Sequence, residues 1–494
     1  MANLTNADIQ KVITVIQDLY QADSIPWVCG YSGGKDSTAT VQLVWEALNG
    51  LPKKALKKDV HIISTDTLVE SPVVAAWQKK SLLKMTETAE KSGLPIHVHQ
   101  LTPQIKDTFW VNLIGRGYPY PRATMRWCTN RLKIQPANNF IEAMVSSAGE
   151  AILVLGTRKS ESSQRGARME KYEKQRVREY LSPDGSHMNS YVFSPIEDWN
   201  SNNVWQYLMS HENTWGQSNK ELLAMYSGAS ADGECPLVLD TSTPSCGNSR
   251  MGCWVCTLVA EDKSMAAMIQ NDEEKAWMLP LLEFRNEIAA DNETDRDRRD
   301  FRRMNGRLTY HKGRLVHGPY KKEVREHFLR RLLEVEKFVN QNGPKELEEH
   351  PLITHEELQT IRHIWLTEKN EFDDTLPKIY KEVTGKDFQD SMNHPNRYFG
   401  EKEWNLLKET CAEVFPEEEL MMNLCSSGLN LEASYTMKAT RRGIRGDIEQ
   451  ILKRNMFKNE EDACRFYEKH NDITPQVAPV DDNDTDEVTE DPEE

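Results

Sequence analysis

The sequence predicts an α/β fold: a mostly parallel sheet domain, then a mostly helical C-terminal region, then a disordered acidic tail. Three observations carry this. Short apolar runs alternate with longer stretches of helical spacing through the first half. From about residue 265 the pattern changes to charge-rich helices. The last 14 residues hold nine acidic side chains and no large aliphatic or aromatic residue except Val488.

Taken in order, the apolar runs at 25–31, 60–65, 96–99, 151–156 and 191–196 read as strands. Stretches 37–48, 73–91, 132–147 and 201–211 read as the helices between and after them, the last with Asn200 or Ser201 as N-cap. Such a sheet collects ligands at the carboxyl ends of its strands. Further on, 324–340, 355–369 and 447–456 read as helices, with breaks at Gly343-Pro344 and His350-Pro351. The expected organisation is 1–264 as the sheet domain, 265–471 as the helical region and 472–494 as the tail.

Composition excludes whole classes. The chain has 494 residues, 61 basic and 77 acidic, for a formal charge of −16. No run approaches the ~18–20 apolar residues a membrane span needs. Twelve Trp, 13 Phe and 15 Tyr exclude a wholly disordered chain. The N-terminal residues have no basic and apolar leader pattern, and nine cysteines are too sparse for a disulfide scaffold. The expected location is the cytoplasm, where clustered cysteines signal metal binding or catalysis.

The first expected strand runs into Ser32-Gly33-Gly34-Lys35-Asp36-Ser37, which opens a helix. Two glycines let a backbone approach an anion and take positive φ. Ser32 and Ser37 offer hydroxyls, Lys35 a charge, and Asp36 a carboxylate for Mg²⁺. Helix-start N–H groups favour a polyphosphate. The Walker spacing is absent.

This string resembles the S-G-G-x-D-S signature of the PP-loop ATP pyrophosphatases (adenine nucleotide α-hydrolase-like), which cleave ATP between the α and β phosphates. Ser64-Thr65-Asp66-Thr67 ends the second strand, where the resemblance implies nucleotide contacts by Asp66 and Thr67. Gly156-Thr157-Arg158, continuing through Glu161-Ser162-Ser163-Gln164-Arg165, is similar to the G-x-R-x-x-E-S-x-x-R of phosphoadenosine phosphosulfate (PAPS) reductase relatives. Pro195-Ile196-Glu197-Asp198-Trp199 followed by Val204-Trp205-Gln206-Tyr207-Leu208 fits the same relatives. The resemblance implies Lys35, Asp36 and Arg158 as catalytic residues and Ser32, Gly33, Gly34, Ser37, Gly156 and Arg165 as further nucleotide contacts.

Four cysteines cluster as Cys235, Cys246, Cys253 and Cys256, and Cys128 lies earlier in Arg126-Trp127-Cys128-Thr129-Asn130-Arg131. In iron–sulfur adenylylsulfate reductases a similar block carries paired cysteines that join a later C-x-x-C-T. Here Trp127 replaces one of the pair, and Cys253-Trp254-Val255-Cys256-Thr257 matches the later one. Cys128, Cys246, Cys253 and Cys256 are the expected metal ligands, with Cys235 competing for the fourth place or carrying persulfide sulfur. The cofactor is a [4Fe–4S] cluster, or Zn²⁺ on the same four thiolates.

Residues 296–331 hold 13 basic and four acidic side chains, with Phe301, Tyr310, His311 and Tyr320 among them. That composition suits either a phosphate-tracking surface or a solvated face. Residues 438–446 form a second basic string, and 165–178 a mixed one.

The combination resembles the DndC family, the PAPS-reductase-like sulfurtransferases of bacterial DNA phosphorothioation. The resemblance implies ATP, Mg²⁺ and a [4Fe–4S] cluster as cofactors. It implies a cysteine desulfurase, other phosphorothioation proteins and DNA as partners. The net charge of −16 beside a local basic strip leads to the expectation that this chain alone binds DNA weakly. Alternatives are a sulfate-assimilation reductase, a tRNA thiolase and an ATP-sensing nucleic-acid-binding scaffold. The reductase is disfavoured because its E-C-G-[LI]-H block is missing; Cys464 lies in Ala-Cys-Arg-Phe.

Overall fold

The computed structural model describes residues 4–229, 252–311, 314–345, 351–390, 401–415, 419–436 and 440–471. The expected tail, Cys235, Cys246, Lys438, Ala439 and His350 lie outside the described residues.

Strand β1 (Trp27–Gly30) is buried almost throughout and sits near the middle of a six-stranded sheet. The others are β2 (Val60–Thr65), β3 (Ile96–Leu101), β4 (Ala151–Val154), β5 (Ser182–Pro183) and β6 (Ser190–Phe193). Their order is β3-β2-β1-β4-β6-β5, parallel except for the β5–β6 pair. Alternation along β1 sends Trp27 and Cys29 into one core layer and Val28 into the other. A sheet buried on both faces explains why its strands read as continuous apolar runs. β6 stops at Phe193, short of the predicted 196. Pro195 lacks the N–H that another ladder bond needs.

Helices Lys35–Asn49, Pro72–Ser92, Gln135–Ala148 and Ser201–Ser210 follow the expected alternation. Asn200 caps the last by accepting from Asn203 N. Helix Asn6–Gln21 precedes β1. Its Thr5–Asp8 capping box is a start signal that the strand-first reading passed over.

A second large core joins Val69, Phe109, Trp110, Trp127 and Trp254 to Phe284, Phe328, Leu332 and Trp365 of the C-terminal helices. Trp110 Nε1 donates to Leu352 O at 2.7 Å, and Trp365 Nε1 to Ile114 O at 3.0 Å. Gly115 leaves room for this approach: a Cβ there would lie 3.2 Å from Ile364 Cδ1. The C-terminal region is helical as predicted, from Lys263–Asn271 through Lys322–Asn342 and His355–Thr367 to Glu460–Asn471. Gly343 ends the long helix.

His61, His97 and His99 share one face of β2 and β3 against Phe140. Their register pairs are His61 with His97 and Ile63 with His99. His61 Nδ1 lies 3.0 Å from His99 Nε2, and His97 meets Asp59 at 3.0 Å. Burial, then the neighbouring imidazoles, pushes His61 down from 6.5 to about 4. The fold therefore favours neutral His61. That contribution is complete above pH 6.5 and is lost as pH falls toward 4. Urea unfolding across that window should show His61→Gln losing less stability than the wild type.

Candidate functional site

Strand order reverses between β1 and β4, since β2 lies on one side of β1 and β4 on the other. In an open parallel sheet this is where a ligand crevice forms. The loop after β1 and the end of β4 meet there. A Cβ on Gly156 would lie 2.8 Å from Asp36 O, 2.9 Å from Asp36 C and 3.0 Å from Ser37 N. Only a residue without a side chain permits this approach.

Within the loop, Gly33 takes φ +74° and its carbonyl accepts from Trp77 Nε1 at 3.1 Å. Gly34 is the N-cap of helix Lys35–Asn49 and brings no side chain of its own to that helix start. The N–H groups beyond Lys35 and the helix dipole there suit an anion. Ser37 Oγ donates to Gly34 O at 3.0 Å and accepts from Ser32 N at 3.2 Å, folding the loop back on itself. Tyr226 OH accepts from Lys35 N at 3.3 Å. It comes from helix Asn219–Gly228, too far along the chain for a local motif to reveal.

Lys35 Nζ pairs with Asp36 at 3.0 Å, and Asp36 also takes Arg158 Nε at 2.8 Å. Arg158 is 4% exposed. Its other nitrogens donate to Ser160 Oγ, Trp199 O and Ser201 Oγ. Its guanidinium therefore holds the Asp36 carboxylate in place. Arg165 lies on helix Ser163–Glu173, half exposed and paired with Glu161. Glu161 in turn accepts from Arg158 N at 3.0 Å.

At the end of β2, Asp66 accepts from Leu68 N at 2.8 Å, which holds Leu68 at φ +63°. The turn aims Thr67 away from solvent. Its hydroxyl lies 3.4 Å from Cys253 Sγ and donates to Glu70 at 3.1 Å. Past the turn, the backbone pairs with the C-x-x-C segment: Ser71 N donates to Gly252 O, and Trp254 N to Val69 O, both at 3.0 Å. Trp254 is 1% exposed and packs near Trp110 and Phe284, anchoring the segment in the core.

Cys128, Cys253 and Cys256 line one cavity of about 640 Å³, with Lys133, Phe109 and Leu132. Burial pushes the Cys253 thiol up to about 12 and raises Cys128 as well. Lys133 pairs with Glu70 at 3.3 Å, and its charged form is favoured first by Cys253 and also by Glu70. Among the described residues no three His, Cys, Asp or Glu side chains close around a metal ion. Three soft sulfur donors on one cavity nevertheless fit an iron–sulfur cluster or Zn²⁺ by donor chemistry. Glu70 and Lys133 were not singled out as site residues from sequence. Lys133 lies five residues after Cys128, and that proximity is the signal that marks it.

The basic run is heavily paired within the chain. Arg296 meets Glu460 at 2.6 Å, Arg330 meets Glu382 at 2.6 Å, and Arg331 meets Glu287 at 3.2 Å. Arg325 pairs with Glu371 and Lys322 with Asp373. These carboxylates lie outside 296–331, so the segment's count overstates the charge it presents. In the second string, Arg441 pairs with Glu432.

An open, mostly parallel sheet with a glycine-rich loop at its switch point is the arrangement of a PP-loop fold. Residues 26–258 match the phosphoadenosine phosphosulfate reductase domain model, so this part of the chain is PAPS reductase-like. It is 28% identical over 205 residues to an uncharacterised protein of Methanocaldococcus jannaschii, covering 40% of this chain. The chain spans 35% of that relative's length. Among solved structures it is similar to a PAPS reductase from Candida auris in complex with phosphate, at 14% identity and TM-score 0.26. That match covers 45% of this chain and 92% of the other. It is also similar to the U34-tRNA thiolase NcsA from Methanococcus maripaludis with its [4Fe–4S] cluster, at 13% identity and TM-score 0.28. There the shares are 58% and 82%. Among the described residues no helix is long and apolar enough to cross a membrane.

Proposed function

We propose that the chain is an ATP-dependent sulfurtransferase of DNA phosphorothioate modification, of the DndC type. The observation that carries the reading is the join between two sites. A single turn, Asp66 to Glu70, leaves the nucleotide crevice and places Thr67 3.4 Å from Cys253. An activation site and a sulfur-chemistry site side by side suit a reaction that adenylylates an oxygen and then replaces it.

In this proposal, ATP phosphates rest on the N–H groups at the start of helix Lys35–Asn49 and on the Ser32 and Ser37 hydroxyls. A DNA phosphate oxygen attacks the α phosphorus, forming a P–O bond as the bond to pyrophosphate breaks. Lys35 offsets charge gathering on the phosphate oxygens. Asp36, oriented by Arg158, would hold Mg²⁺. Sulfur at the sulfide level, freed from desulfurase-derived persulfide by a thiol reductant that supplies two electrons, then attacks the DNA phosphorus, and the P–S bond forms as the P–O bond breaks and AMP leaves with the activated oxygen. A [4Fe–4S] cluster on Cys128, Cys253, Cys256 and either Cys246 or Cys235 would supply a site for the sulfur. A cysteine desulfurase is the proposed source, and other phosphorothioation proteins the proposed partners. The internal pairing of the basic run supports weak, salt-sensitive DNA binding by the chain alone.

Anaerobic purification should give a brown protein absorbing near ~400 nm, as thiolate-bound clusters do. Cys253→Ser should remove that absorption and abolish sulfur incorporation into DNA, measured by mass spectrometry of digested nucleotides. ATP-to-pyrophosphate turnover that is indifferent to DNA, with no sulfur incorporated in the presence of a desulfurase, would sink the proposal.

A further inference from the structure

Arg285 lies on helix Leu279–Ile288, among core residues Leu281, Phe284 and Ile288, and is 1% exposed. Its guanidinium is spent on the segment that follows the C-x-x-C pair. Nε donates to Cys256 O at 2.9 Å, Nη1 to Ala260 O at 2.8 Å, and Nη2 to Val259 O. Nη1 also reaches its neighbour Asn286 at 2.9 Å. Among the described residues no carboxylate lies within ion-pair distance of it; Glu261 and Asp262 act on it from beyond contact.

A buried cation bonded to carbonyls alone is costly, because dipoles repay only part of its lost hydration. Its geometry is nevertheless specific. Three carbonyls within five residues converge on one planar fork, which fixes the path of the chain leaving Cys256. On the other side, Trp254 and the pairing with Val69 fix the path entering it. Cysteines that bind a metal do so as thiolates and bring negative charge to this place.

We propose that Arg285 is a positioning residue for the cysteine centre: it straps the C-x-x-C segment into shape and supplies the buried positive charge that balances metal-bound thiolates. The charge half rests on the reading above that these cysteines hold a metal. The strap also makes the helical region a structural part of the cysteine site, because the fork comes from that region.

The test uses the full chain, loaded anaerobically with iron and sulfide, as wild type, Arg285→Met, Arg285→Lys and Leu281→Ala. Leu281→Ala loosens the same helix without touching the strap. Iron release to a chelator should be about 10–100-fold faster in Arg285→Met, the range for lost outer-shell partners. Arg285→Lys, with the charge but not the fork, should fall between. In the metal-free chain, alkylation of Cys253 and Cys256, followed by peptide mass spectrometry, should also be faster in Arg285→Met. Thermal unfolding reports the fold of each variant. Wild-type rates of release and alkylation in Arg285→Met would overturn the proposal, as would equal acceleration in Leu281→Ala. A wild-type chain that takes up no iron would overturn the metal reading instead, and the alkylation rates would then decide the strap alone.

Discussion

Lys35→Met should reduce pyrophosphate release from ATP by roughly 10²–10³-fold, the scale of losing one charge-stabilising donor. Its folding stability should fall by about 1 kcal/mol or less, because Met keeps the apolar stem of a side chain that is 12% exposed. The charge partner Asp36 also keeps a second cation in Arg158. Asp36→Asn should behave differently. It should lose pyrophosphate release to a similar extent and also lose stability, because Arg158 at 4% exposure would keep its charge and lose its carboxylate. Breaking a fully buried pair costs about 3–5 kcal/mol; Asp36 is a quarter exposed, so about 1–3 kcal/mol is expected after solvent screening. A pyrophosphate assay and urea unfolding on the same preparations separate the two. Undiminished release in both variants would remove this loop from the chemistry.

The proposed phosphate loop can be read from sequence because the groups it would use sit in consecutive residues. Six neighbours supply two glycines, two hydroxyls, a cation and a carboxylate, and a strand and a helix flank them. The strands were legible because a sheet covered on both faces leaves continuous apolar runs. What stayed hidden depends on contacts across the chain. Arg285 is 29 residues from Cys256, and nothing in its own neighbourhood marks it. Tyr226 reaches Lys35 across 191 residues. The basic run shows the same limit from the other side. A count over 296–331 registers Arg296 as open charge, but its partner Glu460 lies 164 residues away. The family resemblance implies Thr67 as a nucleotide contact. The strained Leu68 turn, which no propensity encodes, sets it against Cys253.

Gly156→Ala, a change of one methyl group, should disable the crevice. The three atoms its Cβ would meet within 3.0 Å are all backbone: the carbonyl oxygen and carbon of Asp36 and the nitrogen of Ser37. Backbone in the first turn of a 15-residue helix cannot rotate aside as a side chain does. Either β4 withdraws from β1 or the phosphate loop shifts, and overpacking of this kind costs about 1–3 kcal/mol. The functional loss should be larger than the stability loss suggests. A loop shift carries Asp36 away from the Arg158 fork and displaces the N–H groups proposed to hold phosphate. Misplacement by about 1 Å is enough to cost ~10²-fold in rate. Gly228→Ala is the control: among the described residues no atom beyond its own helix and chain neighbours lies within 4 Å of its Cβ, so nucleotide binding should stay unchanged. Calorimetric ATP binding and pyrophosphate release on both variants check this. Normal ATP affinity and turnover in Gly156→Ala would mean that the close approach of β4 to the loop serves packing alone, and that the nucleotide binds elsewhere.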